Sequence, residues 1–281
     1  MAAAPRTMPW ISYVFRRSNM KAFRFSALAL IGAAVSNAAL ADNTDVYIRN
    51  GQIYSHENSF FVSAGAYQGS ELYQGVDSKL RPFGNLGYNG KDFNVSLANI
   101  NYRFFGNDKD LFNLSLYLGS PGIALKGSDA AALGGIHERK LSGDLGINLD
   151  TQLGFGTLST SVQHDVTNRY NGFIGQVRYA VPLNLGWGTV VPYAGVSYLS
   201  RDFTQYYFGV SKAEANKQHK DYQPGKAFTY NAGYKLIVPL SEHLELSQSS
   251  NFNYLDSAIA DSPIVDSKQQ WNANLALTYY F

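Results

Sequence analysis

Cysteine is absent from the 281 residues, which excludes a thiol nucleophile, a disulfide scaffold and thiolate metal sites. Charged residues are scarce, at 16%, and nearly balanced, at +2 overall, so nothing in the charge marks a nucleic-acid binder. Methionine occurs three times, as Met1, Met8 and Met20, all near the start. From residue 42 onward no helical apolar stripe recurs, and no apolar run approaches the ~20 residues of a membrane-spanning helix. What is plentiful is the stock of strands and turns, with 20 Tyr, 17 Phe and 26 Gly, a composition foreign to disordered chains.

The first 41 residues differ from the rest. They carry Arg6, Arg16, Arg17, Lys21 and Arg24 and no acid, which leaves the remainder net acidic. From Met20 a basic start leads into Phe25–Val35, apolar except for Ser26 among its larger side chains, and then into Ala39-Leu40-Ala41. That order is a secretory signal peptide, with cleavage expected after Ala41 and a mature chain starting at Asp42. Residues 1–19 read as an upstream extension. A secreted chain without cysteine suits a bacterial envelope, with residues 42–58 expected as a periplasmic segment and 59–281 as the folded domain.

The mature chain alternates with period two over segments of 8–13 residues, the pattern of strands with two unlike faces. In the last segment Trp271, Ala273, Leu275, Leu277, Tyr279 and Phe281 share one face, and Gln270, Asn272, Asn274 and Thr278 lie on the other. The segments 141–153 and 228–238 repeat this pattern, and 60–67, 80–88, 111–118, 157–166, 173–181, 189–199 and 243–255 follow it more loosely. Within 93–104 the apolar parity flips, from Phe93, Val95 and Leu97 to Ala98, Ile100, Tyr102 and Phe104. A one-residue slip reverses every side chain, so a turn or bulge falls near Leu97–Asn99. Read as a turn, it raises the count from eleven strands to twelve, the even number that bacterial single-chain barrels require; ten strands is the alternative.

A soluble sandwich and an all-β transmembrane antiparallel up-and-down barrel could both use such strands. Three features favour the barrel. The polar faces hold the charges, Tyr and Phe gather toward strand ends, and short links alternate with long ones at 68–79, 119–140, 201–225 and 256–268. By parity the lumen receives Arg81, Arg103, Arg178 and Lys235 together with Asp144, Asp150, Asp165 and Glu245. Four charges of each sign in a poorly solvated space are expected to pair as an internal network. In the loop 201–225, Tyr206, Tyr207 and Phe208 would form a costly exposed patch unless packed over the mouth. Gly209 permits a turn after them, and Ser211–Asn216 is expected to make one or two helical turns capped by Ser211.

Catalytic and metal chemistry find no constellation. His164 and Asp165 are neighbours on a strand and so point to opposite faces, and no His-x-x-x-His spacing occurs. Nothing sets a Ser or Asp against a base, and the glycine pairs at Gly154-Phe155-Gly156 and Gly186-Trp187-Gly188 do not open helices. No catalytic residue, metal or cofactor is expected.

Three blocks carry a family likeness. Tyr67-Gln68-Gly69-Ser70, then Tyr206-Tyr207-Phe208-Gly209-Val210-Ser211, then Asp261-Ser262-Pro263-Ile264-Val265 before a closing Thr278-Tyr279-Tyr280-Phe281 resemble the MipA/OmpV family of MltA-interacting outer-membrane proteins. The similarity covers roughly Phe60 to Phe281. It implies a barrel in the bacterial outer membrane and, for some members, a scaffold between a murein lytic transglycosylase and a bifunctional murein synthase. The ending Leu277, Tyr279, Phe281 likewise resembles the C-terminal signature that the barrel-assembly machinery reads. The expected function is a non-catalytic interaction barrel that meets outer-membrane lipid and those protein partners; a small-solute channel and a barrel enzyme are the alternatives.

Overall fold

The computed structural model describes residues 46–107 and 110–281. The signal peptide, its cleavage site and the upstream extension lie outside these residues. The first elements are β1 (Tyr47–Arg49) and β2 (Gln52–Tyr54), which pair with each other as a small hairpin. The ring begins with β3 (Ser59–Gly69) and continues through β4 (Arg81–Asn89), β5 (Phe93–Ser96), β6 (Ile100–Phe105) and β7 (Phe112–Gly119). It goes on through β8 (Asp144–Leu153), β9 (Gly156–Asp165) and β10 (Phe173–Ala180). The two-residue β11 (Leu183–Asn184) prolongs the β10 stave along the start of β12 (Thr189–Leu199). The last staves are β13 (Ala227–Pro239), β14 (Leu244–Leu255) and β15 (Gln269–Tyr280).

Neighbours in sequence pair antiparallel, β15 pairs back to β3, and β10 pairs directly with β12, which closes a barrel of twelve staves. Closure is what the bilayer demands, because an open sheet edge would leave backbone N–H and C=O groups in hydrocarbon. The parity flip at Leu97–Asn99 is a turn between β5 and β6, as the alternation anticipated. A slip of register between Arg103 and Phe105 marks a bulge where β6 meets β7.

The alternation is sorted by the wall. On β8, Asp144, Asn148 and Asp150 are buried inward, whereas Leu145 and Ile147 are exposed on the outside. Phe60, Val62, Leu86, Phe112, Val162, Phe228 and Leu277 stand on the same outer surface. Apolar faces that point away from a closed ring leave no second sheet to cover them, so the sandwich alternative is excluded. The buried apolar cluster lies elsewhere, under the long loops. It joins Tyr73, Leu125, Leu133, Ile136, Tyr170, Phe203, Tyr207, Phe208 and Val210 with Ile259, Ile264 and Val265.

Helix α1 (Arg201–Phe208) carries the centre of that cluster. Ser200 caps it, its Oγ accepting from the Phe203 N–H, and Asp202 sits in the first turn, where the helix dipole favours a negative charge. The i, i+4 pairs Phe203/Tyr207 and Thr204/Phe208 form its buried face. A shorter helix, α2 (Ser257–Ala260), starts at an Asp256 cap on the β14–β15 loop.

Because Ile147 lies on the lipid side near mid-wall, Ile147→Arg should destabilise the barrel in lipid vesicles by about 2–4 kcal/mol. Denaturant unfolding from vesicles measures this, and an unchanged midpoint would contradict the outward assignment of this face.

Candidate functional site

The two ends of the barrel are built differently, and each is closed. At the end with short links, the β1–β2 hairpin sits inside the lumen. Asn50 and Gly51 turn it, both with positive φ (52° and 63°), the conformation of a two-residue type I′ turn. Each part of the hairpin reaches a different stretch of wall. Arg49, 1% exposed, donates from Nη1 to Gly90 O and Asn94 Oδ1, both at 2.9 Å. The Asn50 N–H donates to Asp150 Oδ2 at 2.7 Å. Arg178 Nη1 donates to Gly51 O at 3.2 Å, and Lys235 Nζ to Ile53 O at 3.2 Å. Ser55 Oγ donates to Glu245 Oε2 at 2.5 Å, and Ser55 O accepts from Asn89 Nδ2. The His56 ring stacks on Tyr280 at 3.8 Å between centroids, with Nδ1 3.7 Å from Glu245. Burial lowers the His56 pKa from its ordinary value, although Glu245 pulls it upward.

Residues 47–54, part of the 42–58 segment expected on the periplasmic side, fold into the short-link end of the lumen. The signal was present in the dipeptide Asn50-Gly51 between Tyr-Ile-Arg and Gln-Ile-Tyr, the strongest short-range mark of a hairpin. The eight charges expected in the lumen take several kinds of partner. Among the described residues, none of the ion pairs found joins two of the eight. Arg81 pairs with Glu71 and Arg103 with Asp92, at 2.8 and 2.7 Å. Asp150, Arg178, Lys235 and Glu245 bind the hairpin. Asp144 accepts from Tyr170 Oη and Gln163 Nε2, and Asp165 is wrapped by the N–H groups of Thr167, Arg169, Tyr170 and Asn171. A strand's parity gives the side of the wall but not the partner, and neutral hydrogen-bond donors compete with opposite charges for it.

At the long-loop end the family blocks meet. Ser262 Oγ donates to Phe208 O at 2.6 Å, and Tyr73 Oη donates to Tyr207 O at 3.1 Å. Phe203 lies edge-on to Tyr170 at 4.9 Å and tilted against Tyr207 at 4.9 Å. Tyr206, at the rim, accepts from the Lys140 N–H at 2.9 Å. Val210 bridges to Tyr222 and Tyr73 to Val265, while Asp261 and Pro263 flank the buried Ser262. Ser70 ties β3 to β15 through Gln270 and the Trp271 backbone, next to Gly69, where an added Cβ would meet Trp271 O at 2.5 Å. Tyr67 faces Phe83 across the same region. The three aromatics thus pack over the mouth, but on α1, which precedes the stretch expected to be helical. In 211–216 there is a single turn, and Ser211 Oγ donates to Glu214 instead of capping a helix. The helical signal is a Ser200 cap followed by the i, i+4 pairs Phe203/Tyr207 and Thr204/Phe208.

Glu214 is the electrostatic clasp of this cap. Burial alone would raise its pKa, but its carboxylate accepts from Ser211 Oγ and N, from the His137 N–H and from Arg139 Nη2 at 2.7 Å, and the balance lowers it to about 2. At the other terminus Leu277, Tyr279 and Phe281 point outward, and the Phe281 N–H donates to Phe60 O at 2.9 Å. No group of three His, Asp or Glu able to hold a metal ion occurs among the described residues.

A closed antiparallel ring with an apolar outer surface and a polar, plugged interior defines an outer-membrane β-barrel protein. The chain belongs to the family of the MltA-interacting protein MipA, whose sequence profile matches residues 62–281. It is 43% identical to outer membrane protein OmpV of Vibrio cholerae, over 91% of this chain and 98% of that protein. It is 24% identical to the MltA-interacting protein of Escherichia coli K12, over 80% and 91% of the two chains. Among solved structures it is similar to an outer membrane channel from Pseudomonas putida F1, at 11% identity and a TM-score of 0.40, covering 85% of this chain and 98% of that one. A likeness at that score informs neither ligand nor mechanism.

The depressed Glu214 pKa sets a pH dependence for the cap. A carboxylate lowered from 4.5 to about 2 contributes stability fully above pH 4.5, and this is lost as pH falls toward 2. Acid titration of thermal stability should therefore show a decline over that window that Glu214→Gln removes. Equal pH profiles for the two proteins would contradict the clasp.

Proposed function

We propose that this protein is a non-catalytic interaction barrel of the outer membrane that acts as a scaffold for enzymes of peptidoglycan turnover. The observation that carries the reading is the double closure of the lumen, by a seated hairpin at one end and an aromatic cap at the other. A barrel closed in this way acts through its surfaces. By the rule that outer-membrane barrels turn short links to the periplasm, the end holding the hairpin faces the murein layer. Its rim presents Phe155, 92% exposed, with Leu153, Leu183 and Leu185 beside it, apolar side chains of the kind that anchor protein partners. The name of the MltA-interacting relative supports a murein lytic transglycosylase as one partner; a murein synthase as the second rests on the family resemblance alone. The names of the relatives are those of outer-membrane and interacting proteins, which agrees with a role without catalysis. The outward Leu277, Tyr279 and Phe281 serve in this reading as the assembly signal.

Periplasmic crosslinking in cells, with a photoreactive residue at position 155, tests the scaffold. Capture of a murein lytic transglycosylase, lost in Phe155→Asp with normal barrel levels, is expected. Capture of no murein enzyme from a folded, correctly located barrel would overturn the reading.

A further inference from the structure

The cap of long loops is not a flat lid. Helix α1 spends one face on the buried cluster, through Phe203, Thr204, Tyr207 and Phe208, and leaves the stripe of Arg201 and Gln205 outside it. After Gly209 the chain reverses through the Val210–Tyr222 bridge, and residues 211–221 form an arm between the two bridge partners. The arm is pinned at two points to the β7–β8 loop. Glu214 holds Arg139 at 2.7 Å, and Asn216 Nδ2 donates to Gly134 O at 3.1 Å. Helix, arm and β7–β8 loop together line a cavity of about 530 Å³, within the roughly 300–1,000 Å³ of small-molecule sites. Lying at the long-loop end, it faces the outside of the cell.

The lining is polar. Its one aliphatic side chain, Val210, is 1% exposed and offers no apolar wall. Two of its charges are already spent on the protein. Glu214 accepts from Ser211, His137 and Arg139, and Arg139 donates to His137 O, Gly209 O and Glu214. These two form the wall and cancel each other.

Arg201 is different. It is exposed on the first turn of α1 and has no ion pair among the described residues. Gln205, one helical turn on, accepts through Oε1 from Arg201 Nε at 2.9 Å and Nη2 at 3.1 Å. That contact occupies the side edge of the guanidinium and fixes its plane. The end edge, formed by Nη1 and the second Nη2 hydrogen, stays free, and it is an edge that grips a carboxylate with two parallel bonds. Around it the lining supplies the phenol rings of Tyr206 and Tyr222 and the Gln223 amide, which has no protein partner among the described residues. Aromatic faces and amides beside one oriented cation suit a ligand with a single carboxylate and many hydroxyls.

We propose that this cavity is a binding site for an acidic sugar, a pyranose bearing one carboxylate, taken from outside the cell. The carboxylate meets the free edge of Arg201, and the ring hydroxyls meet Gln223 and the tyrosines. An apolar ligand would find no apolar wall, and a doubly charged phosphate would find only one uncompensated cation. The site lies at the end opposite the one assigned to murein enzymes, so it stands or falls separately from the scaffold reading.

The test uses the full mature barrel in detergent micelles and saturation-transfer NMR observed on the ligand. D-galacturonate and N-acetylneuraminate are the acidic probes, with D-galactose and acetate as controls. Saturable binding of at least one acidic sugar is expected, with galactose and acetate each about tenfold weaker, since each lacks one half of the recognised group. Arg201→Gln should weaken the acidic sugar about tenfold, the order of one charge-assisted pair at an exposed site. Arg169→Gln removes the same charge from the β9–β10 loop, outside the cavity, and should leave binding unchanged. Heat-modifiable migration in gels reports that each variant is folded, and Gln223→Ala, at an exposed position, should weaken binding severalfold and decides the question if Arg201→Gln fails to assemble. No saturable binding of either acidic sugar, equal binding of galactose or of acetate, or equal loss in both arginine variants would overturn the proposal.

Discussion

Inward charges in a space that water reaches poorly need partners, and in this barrel residues 47–54 supply them. Asp150, Arg178, Lys235 and Glu245 come from four different staves and have no ion pair with one another among the described residues. Each instead holds the hairpin or the residue just after it, through a backbone N–H, a backbone carbonyl or the Ser55 hydroxyl. The hairpin needs the wall equally, since a three-residue strand pair is not stable alone in water. Plug and wall are therefore one folding unit, and the closed lumen follows from where the charges sit.

The opposite end solves a different problem by different means. Long loops would ordinarily be the loosest part of a barrel. Here they hold most of the buried apolar cluster, because the staves send most of their apolar side chains to lipid and add only a few, such as Leu199 and Leu255, to it. The α1 helix places Phe203, Tyr207 and Phe208 against residues from four other loops, and the Glu214–Arg139 pair ties the following turn to the β7–β8 loop. Removing Glu214's charge would leave Arg139 buried with fewer acceptors, so the clasp acts by satisfying groups that packing has already taken from water.

Much of this was legible in the sequence. The staves follow from period-two alternation, and the parity flip at Leu97–Asn99 marks a real turn, because burial on one face and lipid on the other leave a strand no choice of register. The cap was legible in part: three consecutive aromatics demand cover, but which neighbours helix depends on a cap at Ser200 read together with the i, i+4 pairs. The lumen was least legible. Parity places Arg81 and Asp165 on the polar face of their strands, yet their partners are Glu71 and a run of loop N–H groups, which only the folded loops bring near. The gap in pairing beside β4 was not legible at all. It arises from the unequal lengths of β4 and β5, which leave Arg81–Leu86 without a strand partner on one side among the described residues.

The central claim, that the hairpin closes the lumen, is tested most directly by planar-bilayer recording of the purified protein beside a variant lacking residues 47–54. The account predicts a silent wild type and steady, stepwise conductance from the shortened barrel once its folded state is verified. Steady conductance from the wild type, unchanged by the deletion, would contradict it.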